Sequence, residues 1–272
     1  MGDSQLQTKP FRIQPGAQVD LAKRPTREDG DHEKNAARAE FERLHERLVE
    51  LEELMYAGHR HSLLVVLQGM DTSGKDSTIR SVFSGIGPAG VRVVSFKAPS
   101  TLEREHDYLW RVHHHTPRVG QLTIFNRSHY EDVLIVRVNN LVPERRWKER
   151  YDHINAFERM LADEGTTIVK LFLHISKDFQ KERLQRRLDN PAKHWKFDPG
   201  DLPVRERWDD YQKAYQVALS RCSTDVAPWY VIPAERRWFR NLLIARILVE
   251  TLEGLDMKYP KPTFDPSEIV IP

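Results

Sequence analysis

The octapeptide Gly69-Met70-Asp71-Thr72-Ser73-Gly74-Lys75-Asp76 follows the apolar run Leu63-Leu64-Val65-Val66-Leu67. This order reads as a phosphate-cradling loop between a buried strand and a helix. Glycine permits the sharp turn and close backbone approach, successive N–H groups face phosphate oxygens, and Lys75 brings a mobile positive charge. The G-x-x-x-x-G-K spacing is complete, but Asp76 stands where loops of this kind usually carry Ser or Thr. That hydroxyl normally holds magnesium, so a metal must be held differently here. Asp71 and Asp76 beside a phosphate are unfavourable unless a cation lies between them. This points to Mg²⁺ (Mn²⁺ as a substitute), with Asp71 as a direct or water-mediated ligand. Asp76 has a second reading, as a helix-start residue favoured by the macrodipole. A chance match in a polar turn is the bland alternative, and the flanking strand and helix argue against it.

Further strand ends carry chemistry-bearing residues. In Phe96-Lys97-Ala98-Pro99-Ser100, Lys97 is placed to point into a cleft while Pro99 turns the chain outward; a solvated surface lysine is the alternative. The next block is Asn126-Arg127-Ser128-His129-Tyr130-Glu131-Asp132. Arg127 is a rigid, permanently charged fork suited to phosphate oxygens. Glu131 and Asp132 add carboxylates for metal or substrate, with Asp132 taken as a second metal ligand beside Asp71; a purely structural ion pair competes with this reading. After His174-Ile175-Ser176 comes a helix with Arg183, Arg186 and Arg187, then the turn-rich Asp189-Asn190-Pro191-Ala192-Lys193-His194-Trp195-Lys196. An arginine helix with a hinged loop beyond a phosphate site has the makeup of a closing lid, although charge runs on helices are often only solvated faces. His113, His114 and His115 are consecutive, so they cannot share one helical face as a metal triad. No Ser/His/Asp nucleophile arrangement stands out.

Positioning these residues requires alternating strands and helices. Strands are expected at Leu63–Leu67, Val91–Phe96, Gln121–Phe125, Thr167–His174 and Trp229–Ile232, each short, apolar and rich in β-branched or aromatic residues. Helices are expected near Gly74–Ser84, Leu102–His113, Glu144–Asp163, Lys177–Leu188, Val204–Arg221 and Arg236–Gly254. Such alternation calls for an α/β fold with a parallel sheet flanked by helices on both faces. Ligands then sit beyond the carboxyl ends of the strands, which gathers the residues above into one cleft. Residues 1–30, with Pro10, Pro15 and Pro25, read as an extended N-terminal arm on a single domain of residues 31–272, its lid at about 178–208. A long helix is expected at Asp31–Ala57, where Phe41, Leu44, Leu48, Leu51 and Met55 form one apolar stripe suited to a packing or dimer seam.

With 272 residues and 39% hydrophobic content, the chain can build a full core. A formal net charge of +2 supplies no global basic field for nucleic acid, so no nucleic-acid partner is expected. Cys222 is the only cysteine, which excludes an intramolecular disulfide and a cysteine metal cluster. No apolar stretch has membrane-spanning length, Met1-Gly2-Asp3-Ser4-Gln5 has no secretory apolar region, and Gly2 is a weak myristoylation candidate without a second anchor. A cytoplasmic protein with no membrane association is the expectation.

Taken in order, several blocks resemble polyphosphate kinase family 2: the phosphate loop, Phe125-to-Asp132, Asp189-to-Lys196, Arg207-Trp208-Asp209-Asp210-Tyr211 and Ala227-to-Ala234. The resemblance runs from about Phe11 to Pro260. It implies a P-loop kinase-like α/β fold with a helical lid, and Mg²⁺-assisted phosphoryl transfer between inorganic polyphosphate and nucleotides. It further implies that Asp71 and Lys75 are essential, that Arg127 contacts phosphate, and that Arg183 and Arg187 belong to the lid. Arg80 and Arg207 match basic positions lining a polyphosphate channel. The remaining binding candidates are Gly69, Met70, Thr72, Ser73, Gly74, Asp76, Ser77, Lys97, Lys193 and Lys196. Family members commonly follow the tyrosine with Asn-Arg; Glu131-Asp132 here resembles the subgroup that phosphorylates both AMP and ADP, with ATP as the final product and guanine nucleotides as an open alternative. Homodimers or homotetramers are typical of the family, and the Phe41-to-Met55 stripe is a candidate contributor. Two competing readings are an ATP-dependent nucleoside or nucleotide monophosphate kinase, which Asp76 disfavours, and a non-catalytic polyphosphate-binding module, which gains nothing from carboxylates beside the loop.

Overall fold

The computed structural model describes residues 6–271; the Met1–Gln5 start, with its Gly2 acylation candidate, and Pro272 lie outside the described residues. Strands β1 (Ser62–Gln68), β2 (Val91–Ser95), β3 (Leu122–Asn126), β4 (Thr166–His174) and β5 (Trp229–Pro233) each fall within one residue of their expected ends. They form one sheet in the order β2-β3-β1-β4-β5, with every pairing parallel. Every residue of β1 is buried, as is nearly all of β4. Burial without alternation means that both faces of the sheet are covered. Leu67 pairs with Asn126 and Gln68 with Phe172, so the carboxyl ends of β1, β3 and β4 come level along one edge.

The helices are α1 (Lys34–Gly58), α2 (Lys75–Val82), α3 (Thr101–Glu105), α4 (Trp110–His113), α5 (Ile135–Val138), α6 (Glu144–Asp163), α7 (Lys177–Leu188), α8 (Asp201–Glu206), α9 (Trp208–Cys222) and α10 (Arg237–Glu253). Two expected helices are broken. Leu102–His113 divides into α3 and α4 because Asp107 Oδ1 accepts from the backbone N–H groups of Leu109 and Trp110 at 2.9 and 3.1 Å, starting a new helix. Ser100 and Glu103 close a reciprocal capping box at the start of α3. Val204–Arg221 begins earlier, at Asp201, and breaks at Arg207 between α8 and α9.

The apolar stripe of α1 is used inside the chain. Leu44, Leu48, Leu51 and Met55 are buried, and α1 packs along α10, with Arg47 and Glu253 paired at 3.0 Å across the seam. Of the two readings of the stripe, a packing or a dimer seam, the structure shows packing within the chain. The N-terminal arm lies on β5 and α9. Ile13 N–H donates to the Trp229 carbonyl at 2.8 Å, Arg12 forms an antiparallel bridge with Tyr230, and Leu6, Ile13, Val19 and Leu21 are buried.

One polar cluster sits inside this core. Lys170 of β4 donates to Glu158 of α6 at 2.5 Å, to the Tyr130 hydroxyl at 2.8 Å and to the Cys222 carbonyl at 2.6 Å. His129 Nε2 lies 3.2 Å from Glu158 Oε1, and the Tyr130 hydroxyl donates to the same oxygen at 2.9 Å. Burial works to raise the pKa of Glu158, but Lys170 and His129 outweigh it and hold the carboxyl below its usual range. The cluster pins Ser128-His129-Tyr130 from beneath, and so fixes the neighbouring Arg127 and Glu131-Asp132. Cys222 lies buried here, and burial pushes its thiol up to about 12, which keeps it unreactive.

Candidate active site at the carboxyl edge of the sheet

Gly69 through Asp76 run directly from β1 into α2, so the loop and the first turn of the helix share one concavity. Gly74 adopts a φ of 102° as the residue before α2, and Gly69 leaves no room for a side chain beside Leu173 O. Thr72 also has positive φ, at 67°. The hydroxyls of Thr72 and Ser73 are buried with no protein partner among the described residues. Lys75 is buried; its ammonium donates to the carbonyls of Gly69 at 2.7 Å and Met70 at 3.3 Å. Burial, then the charge of Arg127, brings its pKa down to about 8, against the opposing pull of Asp71, Glu131 and Asp76.

Arg127 stands at the end of β3 in a left-handed conformation, with φ 62°. Its Nη2 donates to Asp71 Oδ1 at 2.5 Å, joining the loop to the block after β3. Burial works against its charge, but Glu131 and Asp71 overcome that and raise its pKa. Asp76 is exposed and accepts from Asn126 Nδ2 at 2.7 Å, which supports its reading as a helix-start residue that ties α2 to β3. The Ser77 hydroxyl donates to the Gly74 carbonyl at 2.9 Å and so is engaged within α2.

Beside the loop lies a cleft of about 620 Å³ whose wall includes Arg127, Glu131, Asp132, Lys97 and Arg104, with an apolar side around Ile135 and Leu141. Loop and cleft meet at the Asp71–Arg127 pair. Lys97 therefore lines the cleft. Asp132 is held by Arg150, whose Nη1 reaches its carboxylate at 2.8 Å and its carbonyl at 3.1 Å; burial still pushes its carboxyl up to about 6. That ion pair occupies Asp132, and the structure does not gather Asp71 and Asp132 around a third donor: among the described residues no group of three His, Cys, Asp or Glu could form a metal cage. The donor set does fit a hard cation that keeps its waters and shares substrate phosphate oxygens, since such an ion needs only one or two carboxylates from the protein.

The lid is α7, the 3-10 segment Pro191–Lys196 and α8. Arg187 donates to the Lys196 carbonyl at 2.8 Å and lies 3.4 Å from Asp201, so it braces the lid rather than reaching the loop. Lys193 and Lys196 are exposed, with Lys196 over the Trp195 ring. Arg80 is exposed on α2, five residues or about 7.5 Å of helix beyond Lys75. Arg207 is engaged by Asp210 at 3.2 Å and Asn139 at 3.1 Å. Arg80 thus sits on the exposed face of α2, and Arg207 at the break between α8 and α9.

Sequence reasoning missed Gln180, Arg150 and Arg240. Gln180 is fully buried and donates to the Asp71 carbonyl at 3.1 Å, while its Oε1 accepts from Arg205 at 3.1 Å. Arg240 is buried against Gly74. Its signal was available: with Arg246, it is one of two arginines in the largely apolar run Phe239-to-Val249. Gln180 had no comparable signal, being one polar residue in a highly polar helix.

A family model described as Polyphosphate kinase 2 (PPK2) matches residues 31–260. An AMP/ADP-polyphosphate phosphotransferase of Meiothermus ruber is 57% identical over 265 residues, covering 97% of this chain and 99% of that protein. An ADP-polyphosphate phosphotransferase of Rhodopseudomonas palustris is 44% identical, covering 95% and 94%. The crystal structure of polyphosphate kinase 2 from Arthrobacter aurescens superimposes with a TM-score of 0.92 at 41% identity, over 95% of this chain and 93% of that one.

Proposed function

The chain belongs to the polyphosphate kinase 2 family, and from that premise we infer that it phosphorylates nucleotides with inorganic polyphosphate as donor. AMP and ADP are the acceptors we propose, as in the name of the Meiothermus ruber relative; guanine nucleotides are a second acceptor class to test. The observation that carries this reading is the Asp71–Arg127 junction, where a phosphate loop and a separate cleft share one wall. A donor bound on the loop and an acceptor bound in the cleft would present their phosphates to each other there.

In this reading, Gly69–Asp76 cradle the donor end through backbone N–H groups, with Lys75 neutralising the oxygens of the transferred unit. Arg127 orients the acceptor phosphate, and Lys97 and Glu131 bound its side of the cleft. Phosphoryl transfer passes through a loose transition state with charge spread over equatorial oxygens, so positioning and charge neutralisation supply most of the rate. The lid, with Arg183, Lys193 and Lys196, closes over the site and excludes water. This class of transfer implies a divalent metal; we propose Mg²⁺, with Asp71 as the residue that would hold it, Asp132 as the further candidate, and charge neutralisation as what it supplies. The buried Lys75, its charge opposed by burial and by Arg127, is a group whose proton an anion would stabilise.

We also propose a homo-oligomer in the cytoplasm. Among the described residues no helix is long and apolar enough to cross a membrane. The test of function is direct: purified protein with AMP, long-chain polyphosphate and Mg²⁺ should yield ADP and then ATP. Turnover only with ATP as donor would overturn the reading in favour of a mononucleotide kinase, and metal-independent binding without turnover would favour a simple binder.

A further inference from the structure

The lid helix α7 leaves the sheet at a junction held by the N-terminal arm and by the turn between β5 and α10. Ser176 caps the helix, its hydroxyl accepting from the Phe179 N–H at 3.1 Å. The Ser176 N–H is one of the donors that a helix start leaves without an intrahelical partner, and the Glu235 carboxylate accepts from it at 3.0 Å. A carboxylate suits this place, since the start of a helix carries partial positive charge. Glu235 lies between β5 and α10, and its own N–H donates to the Thr26 carbonyl of the arm at 3.1 Å. Two further contacts fasten the arm here. His174 Nε2, at the end of β4, lies 3.1 Å from the Leu21 carbonyl, and Arg236 is paired with Asp29. The chain just beyond β5 is joined to β4 at the same point, the Ala234 N–H donating to the His174 carbonyl at 2.9 Å.

The junction continues into the phosphate loop. The Gln180 N–H donates to the Ser176 carbonyl at 3.1 Å, and Gln180 Nε2 donates to the Asp71 carbonyl at 3.1 Å. Thr26, Glu235, Ser176, Gln180 and Asp71 thus form one unbroken run of hydrogen bonds from the arm to the loop. Helix capping alone would account for the bond to Ser176. It would not account for the arm gripping the backbone of the capping residue, nor for the capped turn presenting Gln180 to Asp71. Ser176 and Gln180 stand about one helical turn apart, so fraying at the start of α7 displaces Gln180 directly.

We propose that Glu235 is a positioning residue for phosphoryl transfer, and that residues 21–29 of the arm belong to the active-site scaffold through it. Glu235 does not line the cleft. It fixes the root of α7, α7 fixes Gln180, and Gln180 fixes the Asp71 peptide. The proposal rests on the phosphoryl-transfer reading above and gives the arm a part in it.

The test is a double-mutant cycle with an exchange measurement beside it. Glu235→Ala should lower kcat about tenfold, with donor and acceptor KM values little changed. Glu235→Gln keeps an oxygen that accepts from the Ser176 N–H and should recover most of the loss. Because Glu235 acts through Gln180, Glu235→Ala/Gln180→Leu should turn over as fast as Gln180→Leu alone, within about twofold. Hydrogen–deuterium exchange in Glu235→Ala should quicken at residues 176–180 and 69–74 and stay unchanged in α9. If Glu235→Ala does not fold, Asp29→Ala on the arm takes its place and should move kcat and exchange in the same directions. Losses that multiply in the double variant, an unchanged kcat in the folded single variant, or faster exchange spread evenly along the chain would overturn the positioning role. The exchange measurement needs no turnover: unaltered exchange at 69–74 removes this proposal, whereas absence of polyphosphate-dependent activity in the unaltered protein removes the functional reading instead.

Discussion

Gln180 Nε2 donates to the backbone carbonyl of Asp71 across 3.1 Å, from a side chain with no exposed surface. Its Oε1 accepts from Arg205, which also donates to the Lys177 carbonyl at 2.6 Å. Asp71 is thereby held from two directions, with Arg127 on its carboxylate and Gln180 on its peptide, just before the positive-φ residue Thr72. α7 is thus hydrogen-bonded to the phosphate loop, and α8 to α7. Gln180→Leu should therefore lower kcat about 10- to 100-fold through misplacement of Asp71, with little change in acceptor KM. Steady-state kinetics on the folded variant check this; an unaltered kcat would show that the loop keeps its geometry unaided.

Lys75→Ala removes the one buried ammonium of the loop. Turnover should fall by about 10³-fold or more, while circular dichroism and gel filtration remain those of the parent chain. A variant retaining near-parental rate would remove Lys75 from the transfer step.

Glu131 lines the cleft beside Arg127 and contributes to the field on both Arg127 and Lys75. Glu131→Asn should impair AMP phosphorylation more than ADP phosphorylation, because the shorter acceptor depends more on the cleft to place its phosphate. The comparison of kcat/KM on the two acceptors is decisive; equal losses would contradict a role in acceptor choice.

Glu52 is buried on α1 against Gly90, and its Oε1 has no partner among the described residues. Burial, and then Glu53, raise its carboxyl to about 7. A folded-state pKa above the unfolded value of about 4.3 means that stability is full below that value and is lost as pH rises through about 7. Glu52→Gln should thus be more stable than the parent above pH 7, by about 1–3 kcal/mol, with the gain vanishing near pH 4. Melting temperatures across that range test the sign, and a gain that grows toward low pH would refute it.

Lys170→Met should destabilise the chain by about 3–5 kcal/mol, since it leaves the Glu158 carboxylate buried without its cation. Adding Glu158→Leu should restore much of that loss in urea melts. Failure of the second substitution to help would show that the hydroxyl and histidine contacts, rather than the charge, dominate the cluster.

Much of this architecture was legible because the strands are short apolar runs bounded by turn residues, and because glycines and a lysine at fixed offsets define the loop. The broken helices were not: Asp107 acts through local competition for backbone groups that a periodicity reading averages away, and Arg207 interrupts α8 and α9 with no side-chain cap to mark the place. Within the site, Lys75, Asp71 and Arg127 were evident from residue type and position at strand ends. Arg187 and Arg207 were evident only as charge; their partners, Asp201 and Asp210, decide where that charge is used. The α1 stripe marked a seam correctly but could not name its partner, because α10 and a second copy would select the same apolar spacing.

The Arg12–Tyr230 bridge closes one margin of the sheet with the chain's own leading segment. The other margin is β2, where Arg92 and Ser95 are exposed and charge at such a margin discourages growth. Trimming the segment through Ile13 would free the Trp229 carbonyl and bare the β5 margin, giving the molecule an adhesive flank.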